Sequence, residues 1–302
     1  MKRRSFIRNS ALGTLALTIP AIRSFGNNFS ASYEIPRRVL GKTGEKLSII
    51  GFGGIMLNDN PQDFANELVS KAYELGVNYF DVAPTYGNSE ERLGPALKPY
   101  RENCFLACKT NRRDGEGAQK DLENSLRLMQ TDRFDLYQLH ALSSVDDVEK
   151  VFAPGGAMEV VEKAKKDGKI RHMGFSAHSV DAAMLAMQKY NFDSILFPIN
   201  FACWNAGNFG PQVYAEAEKR GMGILALKAM ALTRLSQGEQ KIYKNVWYRP
   251  VLDEEIMKMA LKYTLSKNIT AAVHPGQNTL FLKALEFMNE FEPVTEQEIA
   301  RL

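Results

Sequence analysis

The chain has 302 residues, of which 45% are hydrophobic and 24% charged. Those proportions are ordinary for a soluble globular protein and exclude fibrous, collagen-like and wholly disordered chains. The formal net charge is only +3, and three cysteines without a Cys-x-x-Cys spacing supply neither a disulfide framework nor a structural zinc.

The chain opens on five basic residues, Lys2, Arg3, Arg4, Arg8 and Arg23, with no acid before residue 26. Removing those five charges from +3 leaves the remainder at −2, a near-neutral body that gives no sign of a nucleic-acid partner. A short apolar run, Ala11 to Ile22, follows the basic start and is broken by Gly13 and Pro20. It is too short and too interrupted for a stable membrane span. Arg3-Arg4-Ser5-Phe6-Ile7-Arg8 resembles a twin-arginine export signal. That resemblance implies a signal segment over residues 1–26 and the export machinery as a partner. It also implies a bacterial, periplasmic or otherwise exported body, with no stable membrane span after processing.

Further on, Arg38–Leu40 and Lys46–Ser48 flank Gly41-Lys42-Thr43-Gly44, the pattern of a short hairpin. Eight strand-like runs then follow: Ile49–Gly53, Val77–Asp81, Cys104–Lys109, Phe134–His140, Lys169–Ser176, Asp193–Asn200, Gly223–Met230 and Thr270–His274. Between them lie amphipathic stretches such as Asp63–Leu75, Gly117–Met129, Met158–Asp167 and Asp253–Lys267. Leu68, Ala72 and Leu75 keep the helical spacing, as do Leu122, Leu126 and Met129. Strand–helix alternation repeated eight times predicts a single eight-stranded parallel (β/α)8 barrel over residues 33–302, capped by the hairpin. A doubly wound open sheet is the other architecture of this pattern.

In such a barrel the chemistry sits at the C-terminal strand ends. Those ends carry Asp81, Lys109 and His140, and Tyr86 lies just past the second strand. Taken singly, Asp81 fits a turn, Tyr86 a core aromatic, Lys109 a solvated strand end and His140 a buried histidine. Together they form a proton-handling set. A phenol has an ordinary pKa near 10; a nearby ammonium lowers it, and a carboxylate holds that ammonium in place. Such a phenol protonates a carbonyl oxygen while hydride arrives at carbon, and an imidazole polarises the same oxygen.

Residues 76–97, GVNYFDVAPTYGNSEERLGPAL, together with FLACKT, DLYQLHAL and GKIRHMGFS, make the chain similar to the aldo-keto reductase family from about Arg38 to Leu285. The resemblance implies that Asp81, Tyr86, Lys109 and His140 form the family's catalytic tetrad, with Tyr86 as general acid/base. It also implies a nicotinamide cofactor, NADP(H) more often than NAD(H), no metal, and a small carbonyl or alcohol substrate.

The cofactor positions depart from the family pattern. Ser176 is followed by Ala177 where the family has Ser-Asn, Leu196 stands in place of Gln, and Asn200 is the nearest polar alternative. Leu227 takes the place of a stacking aromatic, and Lys228 after it is either a pyrophosphate contact or a solvated strand end. Gly276 and Gln277 belong to the loop resembling the adenosine-phosphate site, at a helix N-terminus. Many members have Arg at the position of Ala284. Gly53 and Gly54 keep the barrel mouth open above the first strand. The segment Gln237–Pro250, with Lys241, Tyr243, Trp247, Tyr248 and Arg249, is a candidate clamp over a dinucleotide, and Phe201 to Asn205 a second pocket loop. Two other functions share these residues. One is a barrel aldolase with Lys109 or Lys228 as Schiff base. The other is a non-catalytic, cofactor-binding redox-sensing subunit.

Overall fold

The computed structural model describes residues 35–273, 276–288 and 291–302. The expected signal segment, residues 1–26, lies outside the described residues, as do His274 and Pro275. The described residues belong to one compact unit, Tyr33–Leu302.

Two short strands come first, β1 (Arg37–Val39) and β2 (Lys46–Ser48), paired antiparallel. The barrel strands are β3 (Ile50–Gly53), β4 (Tyr79–Asp81), β5 (Phe105–Thr110), β6 (Phe134–Leu142), β7 (Ile170–Ala177), β8 (Ser194–Pro198) and β9 (Gly223–Leu227). A small ladder of β10 (Ala231–Thr233) and β11 (Arg249–Pro250) follows, and β12 (Ala271–Val273) completes the barrel. The order β12-β3-β4-β5-β6-β7-β8-β9 closes on itself, and every pair in it is parallel. The closed parallel barrel is therefore correct, and the open-sheet alternative is not.

Around it run α1 (Gln62–Glu74), α2 (Ser89–Leu97), α3 (Gly115–Leu128), α4 (Val145–Phe152), α5 (Ala157–Lys166), α6 (Val180–Lys189), α7 (Pro211–Arg220), α8 (Glu254–Leu265) and α9 (Asn278–Phe287), then the short α10 (Glu296–Ile299). Their starts are written in the sequence. Asp114, Ser144, Ser179 and Asp253 each accept a backbone N–H in the first turn of α3, α4, α6 and α8. Such caps satisfy otherwise orphaned donors, each worth about 1 kcal/mol. Most expected strand ends move by one to three residues. Gly223–Met230 stops at Leu227, where Lys228 turns the backbone left-handed, and Val77–Asp81 begins at Tyr79.

Side chains of one parity point into the barrel. Leu40 and Leu47 of the hairpin join Tyr79, Phe105, Ala107, Leu136, Leu196, Leu225, Ala271 and Val273 in one buried cluster. The hairpin thus plugs the end of the barrel opposite the strand C-termini. Its turn lies so close to β9 that a Cβ on Gly41, at φ +51°, would meet the Gly223 nitrogen at 2.3 Å. Following the inward parity to the other end leads to Gly53, Asp81, Lys109, His140, Ser176 and Leu227.

Candidate active site

Asp81, last residue of β4, is fully enclosed, and Lys109 of β5 has no exposed surface at all. The Lys109 ammonium donates to Asp81 Oδ1 and to the carbonyl of Val82 at 3.1 Å. Two further donors reach Asp81 Oδ2, the Tyr79 hydroxyl and Gln138 Nε2, each at 3.2 Å. Tyr79 sits two residues before Asp81 and Gln138 two before His140, so strand parity turns both into the barrel. Neither was picked out from sequence, although that two-residue spacing marks them. Burial pulls the Lys109 pKa down, but Asp81 and Tyr86 more than offset it, and the net direction is up.

Lys109 Nζ lies 5.2 Å from the centroid of the Tyr86 ring, and Tyr86 meets His140 edge-on at 5.9 Å between centroids. Burial raises the Tyr86 pKa, Lys109 lowers it, and Asp81 raises it; the balance lies above the ordinary value of 10. The expected ammonium effect is therefore present, but desolvation outweighs it. The phenol is held in its protonated, donating form.

His140 reaches the site through an irregularity in β6. The ladder with β7 shifts register between Leu139 and Leu142, and Ala141 takes a left-handed φ of 54°. That conformation costs roughly 1 kcal/mol for a residue with a Cβ. Three bonds hold it: Arg113 donates to the carbonyls of His140 at 2.9 Å and Ala141 at 3.0 Å, and the Ala141 N–H donates to Ser176 Oγ at 2.7 Å. Arg113 is itself fixed by Asp147 at 3.0 Å. Burial, with Lys109 second, lowers the His140 pKa to about 3, so its imidazole is neutral at any ordinary pH. Its Nδ1 faces the Thr85 hydroxyl at 3.4 Å, which leaves Nε2 for the cavity.

A cavity of about 200 Å³ opens above these groups. Its wall includes Gly53, Asp81, Tyr86, His140, Ser176, Leu227, Lys228 and Gly276 of the expected residues, together with His178, Trp247 and Tyr248. Lys109 lies behind the wall, and Gly54 and Asn200 are not part of it. Asn200 spends Oδ1 on the Cys203 N–H at the start of a helical turn, and its Nδ2 is buried without a partner among the described residues. Gln277 lines a second cavity of about 260 Å³ with Asn58, Asp59, Lys244 and Asn278.

The two cavities meet where the segment between β10 and β11 crosses the mouth. Arg249 pairs with Glu239 at 2.8 Å at its base. At its tip Lys244 pairs with Asp59 at 2.5 Å and Asn245 Nδ2 donates to the Ile55 carbonyl at 3.2 Å. Asn245 also bridges Gly276, where any Cβ would come within 2.3 Å of the Asn245 oxygen. The strap therefore needs glycine there.

The aldo/keto reductase family profile matches residues 49–247, which hold the whole buried set and most of the strap. The chain belongs to the aldo/keto reductase family. It is accordingly an oxidoreductase, of a family that uses nicotinamide cofactors, typically NADP(H). The chain is 26% identical to L-galactose dehydrogenase of Arabidopsis thaliana over 279 residues, covering 82% of this chain and 85% of that one. It is 38% identical to methylglyoxal reductase YeaE of Escherichia coli over 136 residues, 43% of this chain and 45% of that protein. The solved structure of the aldo-keto reductase AKR11C1 from Bacillus halodurans, in its holo form, superposes with a TM-score of 0.70 at 22% identity. It covers 89% of this chain and 96% of that one, a likeness of fold. Family membership and the buried Lys109–Asp81 bond both tell against Lys109 as a Schiff-base nucleophile.

Proposed function

We propose that the protein interconverts a small carbonyl compound and its alcohol with NADP(H), and that Tyr86 is the general acid/base. The observation that supports this best is the enclosed Lys109–Asp81 bond beneath a protonated phenol in the cavity floor. The cavity wall suits a nicotinamide: Leu196 and Leu227 offer apolar contact, and the Ser176 hydroxyl keeps a proton to donate toward an amide. The second cavity, with Gln277 and Asn278 at the start of α9, suits the phosphate-bearing half. When bound, the nicotinamide supplies or takes up the hydride. Tyr86 gives its hydroxyl proton to the carbonyl oxygen, with Lys109 stabilising the phenolate left behind, and solvent returns the proton. Neutral His140 orients the same oxygen by donating from Nε2. The test is NADPH oxidation over a panel of aldehydes and ketones, read beside cofactor binding by fluorescence. Turnover of none of them by protein that binds cofactor would overturn the reading.

We also propose that the protein is exported through the twin-arginine route and carries its cofactor with it. The paired arginines before a weak apolar run support the first part, and the strap over the cavity mouth supports the second. Replacing Arg3 and Arg4 together by Lys is expected to hold the protein in the cytoplasm. Normal secretion of that variant would end the export reading. Dialysed periplasmic protein is expected to retain nicotinamide by mass spectrometry.

A further inference from the structure

Lys228 carries two costs at once. Its backbone is left-handed, at φ 62°, a conformation that disfavours a side chain with a Cβ. Its ammonium is half-buried in the cavity wall and makes no hydrogen bond or ion pair among the described residues. Burial lowers its pKa, and Arg234 lowers it further, with only the Cys203 thiol acting the other way. Strain and an uncompensated charge on one residue are the pattern of a site kept for a ligand rather than for stability.

The charges around the cavity show what that ligand is. Of the titratable residues in its wall, Asp81 is engaged by Lys109, Tyr86 is held protonated and His140 neutral. His178 is pushed down to about 4 by desolvation and by Lys228. Among the described residues, no carboxylate in the wall is left to balance Lys228. The second cavity, beyond the Asn245–Gly276 crossing, holds Lys244, already paired with Asp59, and the start of α9. Lys228 shares its cavity with Tyr86 and His140, at the reacting end.

We propose that Lys228 recognises an acidic group on the substrate, so that the carbonyl or alcohol turned over here belongs to a molecule bearing a carboxylate. This rests on the reductase reading above. The ammonium donates to a carboxylate oxygen while the carbonyl lies at Tyr86 and His140. Lysine suits this as a compact donor that does not require the planar pairing of arginine.

The test pairs short ω-oxo acids with the neutral aldehydes of the same carbon count. For each, kcat/KM is measured on the full-length, cofactor-loaded protein. At the best chain length the acid is expected to be favoured by about 10- to 100-fold, the range for a hydrogen bond to a charged partner. The ratio is expected to fall to near unity in Lys228→Met and to recover in part in Lys228→Arg. Because it is taken within one enzyme, losses of fold or cofactor cancel. A second readout needs no turnover. Fluorescence of Trp247, in the same wall, is titrated with butanoate and with butanol, and Trp247→Phe assigns the signal against Trp204. The wild type is expected to bind butanoate more tightly, and Lys228→Met to lose the difference. Equal kcat/KM for acid and aldehyde in the wild type overturns the proposal. So does an unchanged ratio in Lys228→Met with cofactor affinity weakened tenfold, which assigns Lys228 to a cofactor phosphate. If the wild type reduces no carbonyl yet still prefers butanoate through Lys228, the reductase reading fails and the anion site stands.

Discussion

The two halves of the barrel mouth are built on opposite principles. On the β4–β6 side every charged group has a partner: Asp81 accepts from three donors, Arg113 is tied to Asp147, and each functional side chain is fixed by a second one. On the β8–β9 side Lys228 has no countercharge among the described residues and a strained backbone, and the strap is held at three points around an open cavity. The first half is preorganised for proton transfer, where a displacement of one ångström is costly. The second is incomplete by itself, and a ligand supplies what it lacks.

The sharpest way to break the contrast is to remove the proton. Tyr86→Phe keeps the ring above Lys109 and is expected to bind cofactor, with turnover lower by about 10²- to 10⁴-fold. Turnover near the wild-type value on any accepted substrate would remove Tyr86 from the mechanism.

Removing the charge beneath it tests the architecture as well as the chemistry. Lys109→Met leaves Asp81 buried with only neutral donors. Breaking a buried pair from one side typically costs about 3–5 kcal/mol. Urea unfolding is expected to show a loss of that order, alongside a loss of turnover. At Lys228, by contrast, the charge has no partner among the described residues to orphan, so Lys228→Met is expected to leave stability equal or higher. Similar destabilisation at both lysines would erase the distinction between the halves.

The two halves were also unequally legible in the sequence. Strand periodicity places Asp81, Lys109 and His140 at neighbouring ends, because parity and parallel register are local rules. Tyr86 lies in the loop beyond β4, where no strand period reaches, and stands out by its place just past the strand end and by its chemistry beside an ammonium and a carboxylate. The strap was visible only as a long segment with aromatics. Its seat on Ile55 and Gly276 joins residues 190 and 31 positions apart along the chain, and no local pattern encodes such a meeting. Asn200 falls outside the cavity wall for a related reason. A polar residue past a strand end looks free to meet a ligand, but the turn that follows takes its side-chain oxygen. The bulge at Ala141 left no sequence signal, since alanine rarely adopts the backbone found there.

That bulge yields a smaller effect. Arg113→Ala removes both side-chain donors to the His140 and Ala141 carbonyls. Ser176 still holds the Ala141 N–H. The backbone is expected to relax partway and His140 to lose its aim. We expect kcat to fall about tenfold with cofactor affinity little changed, and Arg113→Lys to restore only part of it, since one ammonium does not span two carbonyls as a guanidinium does. A fall in cofactor affinity as large as the fall in kcat would mean that Arg113 supports the other half of the mouth.

The smallest effect concerns proton binding by His140. An unfolded histidine titrates near 6.5, whereas His140 in the fold is lowered to about 3. Between those values the unfolded chain takes up a proton that the folded chain refuses. The stability that depends on neutral His140 is therefore complete above about pH 6.5 and is lost progressively as the pH falls toward 3. At about pH 5 the loss is on the order of 1 kcal/mol after allowance for the partial exposure of the ring. Urea unfolding at about pH 8 and about pH 5 measures it, with His140→Gln as the reference that cannot titrate. The wild type is expected to lose more stability than the variant between the two conditions. The same neutral imidazole is expected to leave kcat/KM without an inflection near pH 6.5. An inflection there that disappears in His140→Gln would mean that His140 charges in the working enzyme. The β4–β6 half would then be less completely desolvated than its burial and hydrogen bonding indicate.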